Sequence, residues 1–191
     1  MSILPKNSIL PEVLGSIQHL SPENFARRAK RIRLVLADND GVLTDTGVYY
    51  GADGEAVKRF SIRDGMGMER LRVLGIESGI ITGEKSLNVK RRAEKLKLNH
   101  LYLGVKDKTA ALARIRMDTG YSNEEIAYIG DDVNDLGIMD ILGESGLIAA
   151  PADAMPQVRA IAQYICSWRG GNGAFRDFAE ALITARVNVS I

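Results

Sequence analysis

"RLVLADNDGVLTD", Arg33 to Asp45, is the stretch on which the fold turns. A short apolar run rich in branched residues, Arg33 to Ala37, ends abruptly at Asp38, Asn39, Asp40 and Gly41, with Asp45 just beyond. So many oxygens around one glycine suggest a calcium loop of the EF-hand type. Such a loop needs oxygen ligands at positions 1, 3 and 5, a glycine at 6 and a glutamate at 12. With Gly41 at position 6, Leu36 falls at position 1 and Gly47 at position 12, and neither can bind a cation. No amphipathic helix leads into the loop either. The remaining reading is a pair of carboxylates at the carboxyl end of a buried strand.

Outward from that point the chain alternates short apolar runs with helical patterns, the signature of an α/β fold. The strand candidates are 33–37, 78–82, 100–103, 126–129, 147–150 and 163–166. All are short and mostly apolar, as parallel strands covered on both faces should be. Helices are expected over 66–74, 86–96, 108–119, 133–142 and 174–186, and Ser122 with Glu125 forms a candidate capping box before the fourth strand. One segment interrupts the alternation. "GVYYGADGEAVKRF" has aromatic and branched residues on both sides of "ADG", which reads as a β-hairpin inserted after the first strand. Ligands of open parallel sheets bind outside the carboxyl ends of the strands, so this hairpin should overhang any site there. The expected organisation is an N-terminal helical arm over 1–30, in which Ser21 caps and Pro22 starts a helix, and a single domain over 31–191. That domain carries the hairpin at 47–60 and a C-terminal tail at 169–191.

Bulk properties narrow the function. A chain of 191 residues with 46% hydrophobic residues can bury one ordinary core. With 25 basic and 24 acidic residues it lacks the basic excess of a nucleic-acid binder. No apolar run approaches the roughly 20 residues of a membrane span. The first thirty residues have prolines and a glutamate where a signal peptide needs an apolar run, so a cytoplasmic location is expected. The single cysteine, Cys166, fits a reducing compartment and a small core residue.

The strand ends themselves supply the chemistry. Asp38 and Asp40 follow the first strand, Thr82 ends the second, Lys108 lies shortly after the third, and "GDDVND" follows the fourth. Any one of these could be a turn former or a helix cap. Three carboxylates converging on one rim would repel one another strongly unless a cation sat between them. The absence of histidine and cysteine from the cluster favours a hard ion, magnesium over zinc.

In these residues the chain resembles the haloacid dehalogenase superfamily of phosphohydrolases, in its class without a large cap. The four signatures occur in order as "DNDGVLTD", "ITG", "KDKTAAL" and "GDDVND", within a resemblance spanning about 33–185. The fold this implies is a Rossmann-like parallel sheet with helices on both faces and a hairpin flap. "YYGADGEAVKRFSIRDGMG" and "GGNGAFRDF" look most like the phosphatases of phosphorylated 3-deoxy-ulosonic acids, a group that includes enzymes acting on 3-deoxy-D-manno-octulosonate 8-phosphate in lipopolysaccharide sugar biosynthesis.

The resemblance implies Asp38 as nucleophile, Asp40 as proton carrier, Thr82 and Lys108 as phosphoryl-binding groups, and Mg2+ held by Asp38, the Asp40 carbonyl and Asp131. Asp132 and Asp135 would orient the site or hold Lys108. Substrate contacts would come from Arg63, Gly83, Glu84, Arg92, Lys95 and Arg176. Four subunits would assemble partly through the hairpins, with "GGNGAFRDF" reaching a neighbour's site. The expected partners are a phosphorylated sugar acid and three further copies of the chain, with no nucleic acid and no membrane. Asn172, Glu84 and Lys95 depart from the octulosonate pattern, and Glu84 with Lys95 resembles relatives acting on nine-carbon sugar acids. Asn39, between the two key aspartates, is expected to point away from the site.

Two other readings compete. A signalling receiver domain also holds an aspartyl-phosphate with aspartates, threonine, lysine and magnesium, but its acidic pair comes first and its phosphorylated aspartate later. A non-catalytic scaffold would have no use for Asp38, Asp40, Thr82, Lys108 and Asp131 together, since none of them helps a core.

Overall fold

A computed structural model describes residues 15–187. The central sheet is built from β1 (Ser16–Ile17), β2 (Leu34–Ala37), β5 (Glu77–Thr82), β6 (His100–Leu103), β7 (Ile126–Ile129), β8 (Leu147–Ala150) and β9 (Tyr164–Ile165). Its spatial order is β1-β9-β8-β7-β2-β5-β6, parallel throughout except for β1, which runs antiparallel to β9. The separate hairpin comprises β3 (Val48–Gly51) and β4 (Gly54–Lys58).

Alternation of side chains along β2 distributes the core between two faces. Val35 and Ala37 point to one, where they pack with Phe25, Met68, Leu71, Phe175, Phe178 and Leu182. Leu34 and Leu36 point to the other, among Leu112, Ile115, Tyr128, Ile138, Leu142 and Val158. The first face is covered by α1 (Pro22–Ala29), α2 (Ile62–Val73), α3 (Leu87–Leu96) and α7 (Ala174–Val187). The second is covered by α4 (Lys108–Thr119), α5 (Leu136–Ser145) and α6 (Pro156–Ile161).

Several elements differ from the sequence expectation for identifiable reasons. α2 starts four residues early, because the Ser61 side chain accepts the Arg63 amide at 3.1 Å and the helix tolerates Gly65 and Gly67. The helix expected from Val133 is first a 3-10 turn, Val133–Asp135, before α5 begins. β1 and α6 have patterns too short for periodicity to reveal. Of the arm expected over 1–30, residues 1–14 lie outside the described residues. The rest joins the sheet through β1 and the core through Phe25 and Ala29 of α1, with Ser21 capping as expected by accepting the Asn24 amide. The Ser122 amide donates to Glu125 Oε2 at 3.0 Å, the reciprocal half of the anticipated capping box.

The register of the three central strands aims the site. Ala37 pairs with Ile80 of β5 and with Ile129 of β7. Asp38, Thr82 and the Gly130–Asp131 pair therefore leave the sheet at neighbouring points on one rim. From the same rim side, "SIRDGMG" ties α2 to α7: Asp64, 2% exposed, accepts the Arg176 amide at 3.0 Å and so caps the last helix. Burial raises the Asp64 pKa to about 6, against the backbone amides that favour its anion. Loss of such a cap costs about 1 kcal/mol, so Asp64→Ala is expected to lower the melting temperature by about 2–4 °C. Asp64→Asn, which keeps an acceptor, should retain most of the stability. Equal melting of Asp64→Ala and the parent protein would show that the cap contributes nothing.

Candidate active site

Asp38 extends β2 by one residue, since its amide donates to Ile129 O at 3.0 Å. The chain then turns back sharply: Asn39 O accepts the amides of Leu43 at 2.9 Å and Thr44 at 3.0 Å. Gly41 occupies the left-handed region at φ +92°, and a Cβ there would lie 1.8 Å from Asp131 Oδ2. On the other side of the loop a Cβ on Gly170 would lie 1.8 Å from Gly41 O. Only glycine permits both approaches. "GGNGAFRDF" thus packs on its own chain's catalytic-loop candidate, where Gly171 N donates to Val42 O at 2.9 Å, and its remainder enters the core as α7.

Lys108 begins α4, whose N-terminus is capped by Asp107 accepting the Ala110 amide at 2.9 Å. Its buried ammonium lies 2.9 Å from Asp38 Oδ1, 2.5 Å from Asp135 Oδ1 and 3.1 Å from the Tyr128 hydroxyl. Burial alone would lower its pKa, but the two carboxylates outweigh this and hold it above the ordinary lysine value. Asp135 also receives the Tyr128 hydroxyl at 2.6 Å and the amides of Asp131 at 2.9 Å and Asp132 at 3.3 Å. Asp132 turns outward and accepts the Val133 amide at 2.6 Å. Asp135 is thus the fixed post that positions both Lys108 and the turn carrying Asp131.

Asp38, Asp131 and Asp135 offer oxygens all within 4.8 Å of one another. Desolvation is the main reason that the Asp38 pKa rises to about 7, with Lys108 opposing and Asp135 adding to the rise. Asp131 rises to about 8, again first by desolvation and then by the charges of Asp38, Asp135 and Asp132. One of its oxygens, Oδ1, is buried without a hydrogen-bond partner. An unpartnered buried carboxylate oxygen beside two further carboxylates fits a bound cation, and an all-oxygen donor set suits a hard one.

Asp40 faces a different set of groups. Lys58 Nζ, from the end of β4, lies 2.6 Å from Asp40 Oδ1 and 2.7 Å from Oδ2, and its side chain is only 2% exposed. Thr44 Oγ1 donates to Oδ1 at 3.1 Å, and Asn39 Nδ2 donates to the same oxygen at 3.0 Å. The expectation that Asn39 points away is therefore corrected: the tight turn returns its fully buried amide to its neighbour's carboxylate. Burial opposes the charge of Lys58, but Asp40 and Glu55 raise its pKa overall. Glu55 in turn accepts the Ser86 hydroxyl and, at 2.9 Å, Asn88 Nδ2, both at the start of α3.

The candidate substrate residues spread more widely. Buried Thr82 ends β5 on the rim, and its Oγ1 accepts the Glu84 amide at 3.2 Å, with Gly83 between them. Glu84 is exposed and paired with Lys106 at 3.1 Å. Arg63 stacks over Trp168, 5.0 Å from its ring centroid, beside Arg176 in a surface pocket bordered by Gly173 and Asp177. Arg176 is committed to Glu180 at 2.6 Å, a carboxylate it shares with Arg70. Arg92 braces α3 against α2, with Nη2 donating to Ser61 O at 2.8 Å and the guanidinium over Phe60. Lys95 lies about 12 Å along α3 from its start, in a groove with Arg72, Leu74 and Leu96. Within one chain the structure thus brings Asp38, Asp40, Thr82, Lys108, Asp131 and Asp135 to one rim, and leaves Lys95 away from it.

Sequence reasoning missed Lys58, Glu55 and Tyr128. Tyr128 carried a signal, because the hydroxyl of a tyrosine within an otherwise apolar buried strand must find a partner. Lys58 carried only its place at the open end of a hairpin, opposite Val48.

No family model matches the chain. Among curated proteins it is 37% identical over 164 residues to the 3-deoxy-D-manno-octulosonate 8-phosphate phosphatase of Yersinia pestis, covering 86% of each chain. It is 38% identical over 159 residues to the enzyme of the same name from Escherichia coli, covering 83% of each. Among solved structures, that phosphatase from Moraxella catarrhalis, in complex with a magnesium ion, a phosphate ion and a KDO molecule, superposes with a TM-score of 0.81 at 36% identity. The match covers 87% of this chain and 94% of that one. The cobalt-bound phosphatase of Haemophilus influenzae gives a TM-score of 0.80 at 34% identity over 84% and 92%. With this identity across most of both chains, and with the strand-end carboxylates and lysine in place, the chain belongs to the 3-deoxy-D-manno-octulosonate 8-phosphate phosphatases of the haloacid dehalogenase superfamily.

Proposed function

We propose that the protein is a magnesium-dependent phosphatase that hydrolyses 3-deoxy-D-manno-octulosonate 8-phosphate to the free sugar acid and phosphate, within lipopolysaccharide sugar synthesis. The observation that carries the chemistry is the buried Asp38 carboxylate beside Lys108 at 2.9 Å, with Asp131 across the rim. Family membership carries the substrate.

Asp38 attacks phosphorus and forms an aspartyl-phosphate, which divides one difficult hydrolysis into two displacements. Asp40 gives a proton to the departing sugar oxygen and then takes one from the water that cleaves the intermediate. Lys108, locked by Asp135 and Tyr128, faces the negative charge of the transferring group, and the Thr82 hydroxyl donates to the same group. Asp38, Asp131 and the Asp40 carbonyl would hold Mg2+, which when bound neutralises charge and allows an anionic ester to approach an anionic nucleophile. Asp132 and Asp135 hold the loop that presents Asp131.

The nine-carbon alternative rests on Glu84 and Lys95. Against it, Glu84 is paired outward with Lys106, and Lys95 lies away from its own chain's rim. The proposed assembly is a cytoplasmic homotetramer in which hairpins meet. Supporting this, Tyr49 is 66%, Tyr50 76% and Val57 54% exposed on a two-stranded ribbon that cannot bury them alone.

Phosphate release measured against both sugar esters tests the main reading: kcat/KM should favour the octulosonate ester, and Asp38→Asn should abolish turnover. Asp40→Asn should slow it by about 10²-fold or more, the usual weight of general acid catalysis. Turnover by folded Asp38→Asn would remove the nucleophile assignment, and a preference for a nonulosonate 9-phosphate would reverse the substrate.

The carboxylate cluster also predicts how pH and metal act together. Asp38 at about 7 and Asp131 at about 8 lie above their unfolded value near 3.8. In that interval the native state keeps protons that the unfolded chain has released, so chelated protein loses stability as pH rises from about 4 towards about 8. Magnesium should oppose that loss, and the melting-temperature gap between loaded and chelated protein should widen over the same interval. A gap independent of pH would count against the cluster as the cation site.

For the assembly, light scattering is expected to give the mass of four chains, falling to a smaller species when Tyr50→Glu places a charge in the hairpin contact. A monomeric parent protein would exclude the tetramer.

A further inference from the structure

The hairpin sends one buried lysine to the catalytic loop, and its contact is made to the group that must move protons. We infer that Lys58 is a positioning residue for Asp40: it grips the carboxylate so that proton transfer runs through Oδ2, and Glu55 fixes this grip to α3. The inference rests on the phosphatase reading above and deepens it.

The two oxygens of Asp40 are unequally occupied. Among the described residues Oδ1 receives Lys58, Asn39 and Thr44, at 2.6, 3.0 and 3.1 Å. Oδ2 receives Lys58 alone, at 2.7 Å. A carboxylate oxygen has about two acceptor directions, so Oδ1 is saturated and Oδ2 keeps one direction open. Proton movement therefore belongs to Oδ2. In the first step the Oδ2–H proton passes to the sugar oxygen as the P–O bond breaks and the Asp38–P bond forms. In the second, Oδ2 takes a proton from water as the water oxygen bonds phosphorus and the Asp38–P bond breaks. No other reactant is needed.

Rigidity comes from further along the hairpin. Glu55, three residues before Lys58 on β4, lies 3.5 Å from its ammonium and is held by Ser86 and Asn88 at the start of α3. That helix follows directly on Thr82 and Glu84. One polar chain thus runs from the segment after β5, through the hairpin, to the proton carrier. A lysine with a 2% exposed side chain has lost its water and many rotamers, a cost offset only if its contacts are well formed.

Aryl and alkyl phosphate esters separate this role from a structural one. A p-nitrophenolate leaves without help from an acid, whereas an alkoxide must be protonated. Lys58→Met should therefore lower kcat/KM for the sugar phosphate by about 10²-fold while changing that for p-nitrophenyl phosphate by only a few-fold. Asp40→Asn should show the same asymmetry, and Lys58→Arg should recover part of the loss. Glu55→Gln should give the same asymmetry in smaller degree, and it carries the test if Lys58→Met does not fold. Equal losses on both esters, or none on the alkyl ester, would overturn the assignment of Lys58 while leaving the phosphatase intact. Failure of the parent protein to release phosphate from either ester would instead overturn the phosphatase reading, and this inference with it.

Discussion

Everything at the rim depends on one buried cation standing between two anions. Lys108 can be charged inside the protein only because Asp38 and Asp135 lie within 2.9 Å of it, and Asp135 is in turn held by Lys108, the Tyr128 hydroxyl and two amides. Removing one partner would leave an uncompensated charge in a desolvated place, so the three are effectively a single unit. That unit does not offset the cost of charging Asp38 and Asp131, whose pKa values are raised first by desolvation and then by the neighbouring carboxylates. The site is built one cation short, and this deficit is what a divalent ion would correct.

The parallel sheet makes such an arrangement accessible. With Ala37 in register with both Ile80 and Ile129, three strands end together, and residues separated by more than forty positions emerge side by side. Tight backbone contacts then fix the loop. Gly41 lies against Asp131 on one side and Gly170 on the other, so α7 and its glycine-rich approach belong to the architecture of the site as well as to the core. Asp64 and Gly67 of α2 serve the same end by docking α7 against α2.

The hairpin contributes in two ways that its sequence kept separate. Tyr49, Tyr50 and Val57 are apolar and exposed, while Glu55 and Lys58 tie the ribbon to α3 and Asp40. A ribbon of two strands is marginal by itself. Anchoring it through the buried Lys58 on Asp40 makes its position relative to the loop after β2 definite.

By itself the sequence determined the alternation of strands and helices, the hairpin, and the placement of Asp38, Asp40, Thr82, Lys108 and Asp131 at strand ends. Those features are local: burial on both faces selects short apolar runs, and the residues that follow such runs must lie at the rim. Lys58 and Asn39 were illegible because their partners depend on how a turn and a ribbon fold back, which no periodicity encodes. Lys95 illustrates the reverse case, since a residue matched by motif lies on the far part of α3 once the helix has a direction. β1 and α6 were missed because two and six residues hold too little pattern, and each is stabilised by neighbours contributed from distant sequence. Tertiary structure alone decided which carboxylate oxygen is saturated, which lysine is buried between anions, and which arginines are already committed, because each of these is a property of distances between segments far apart in the chain.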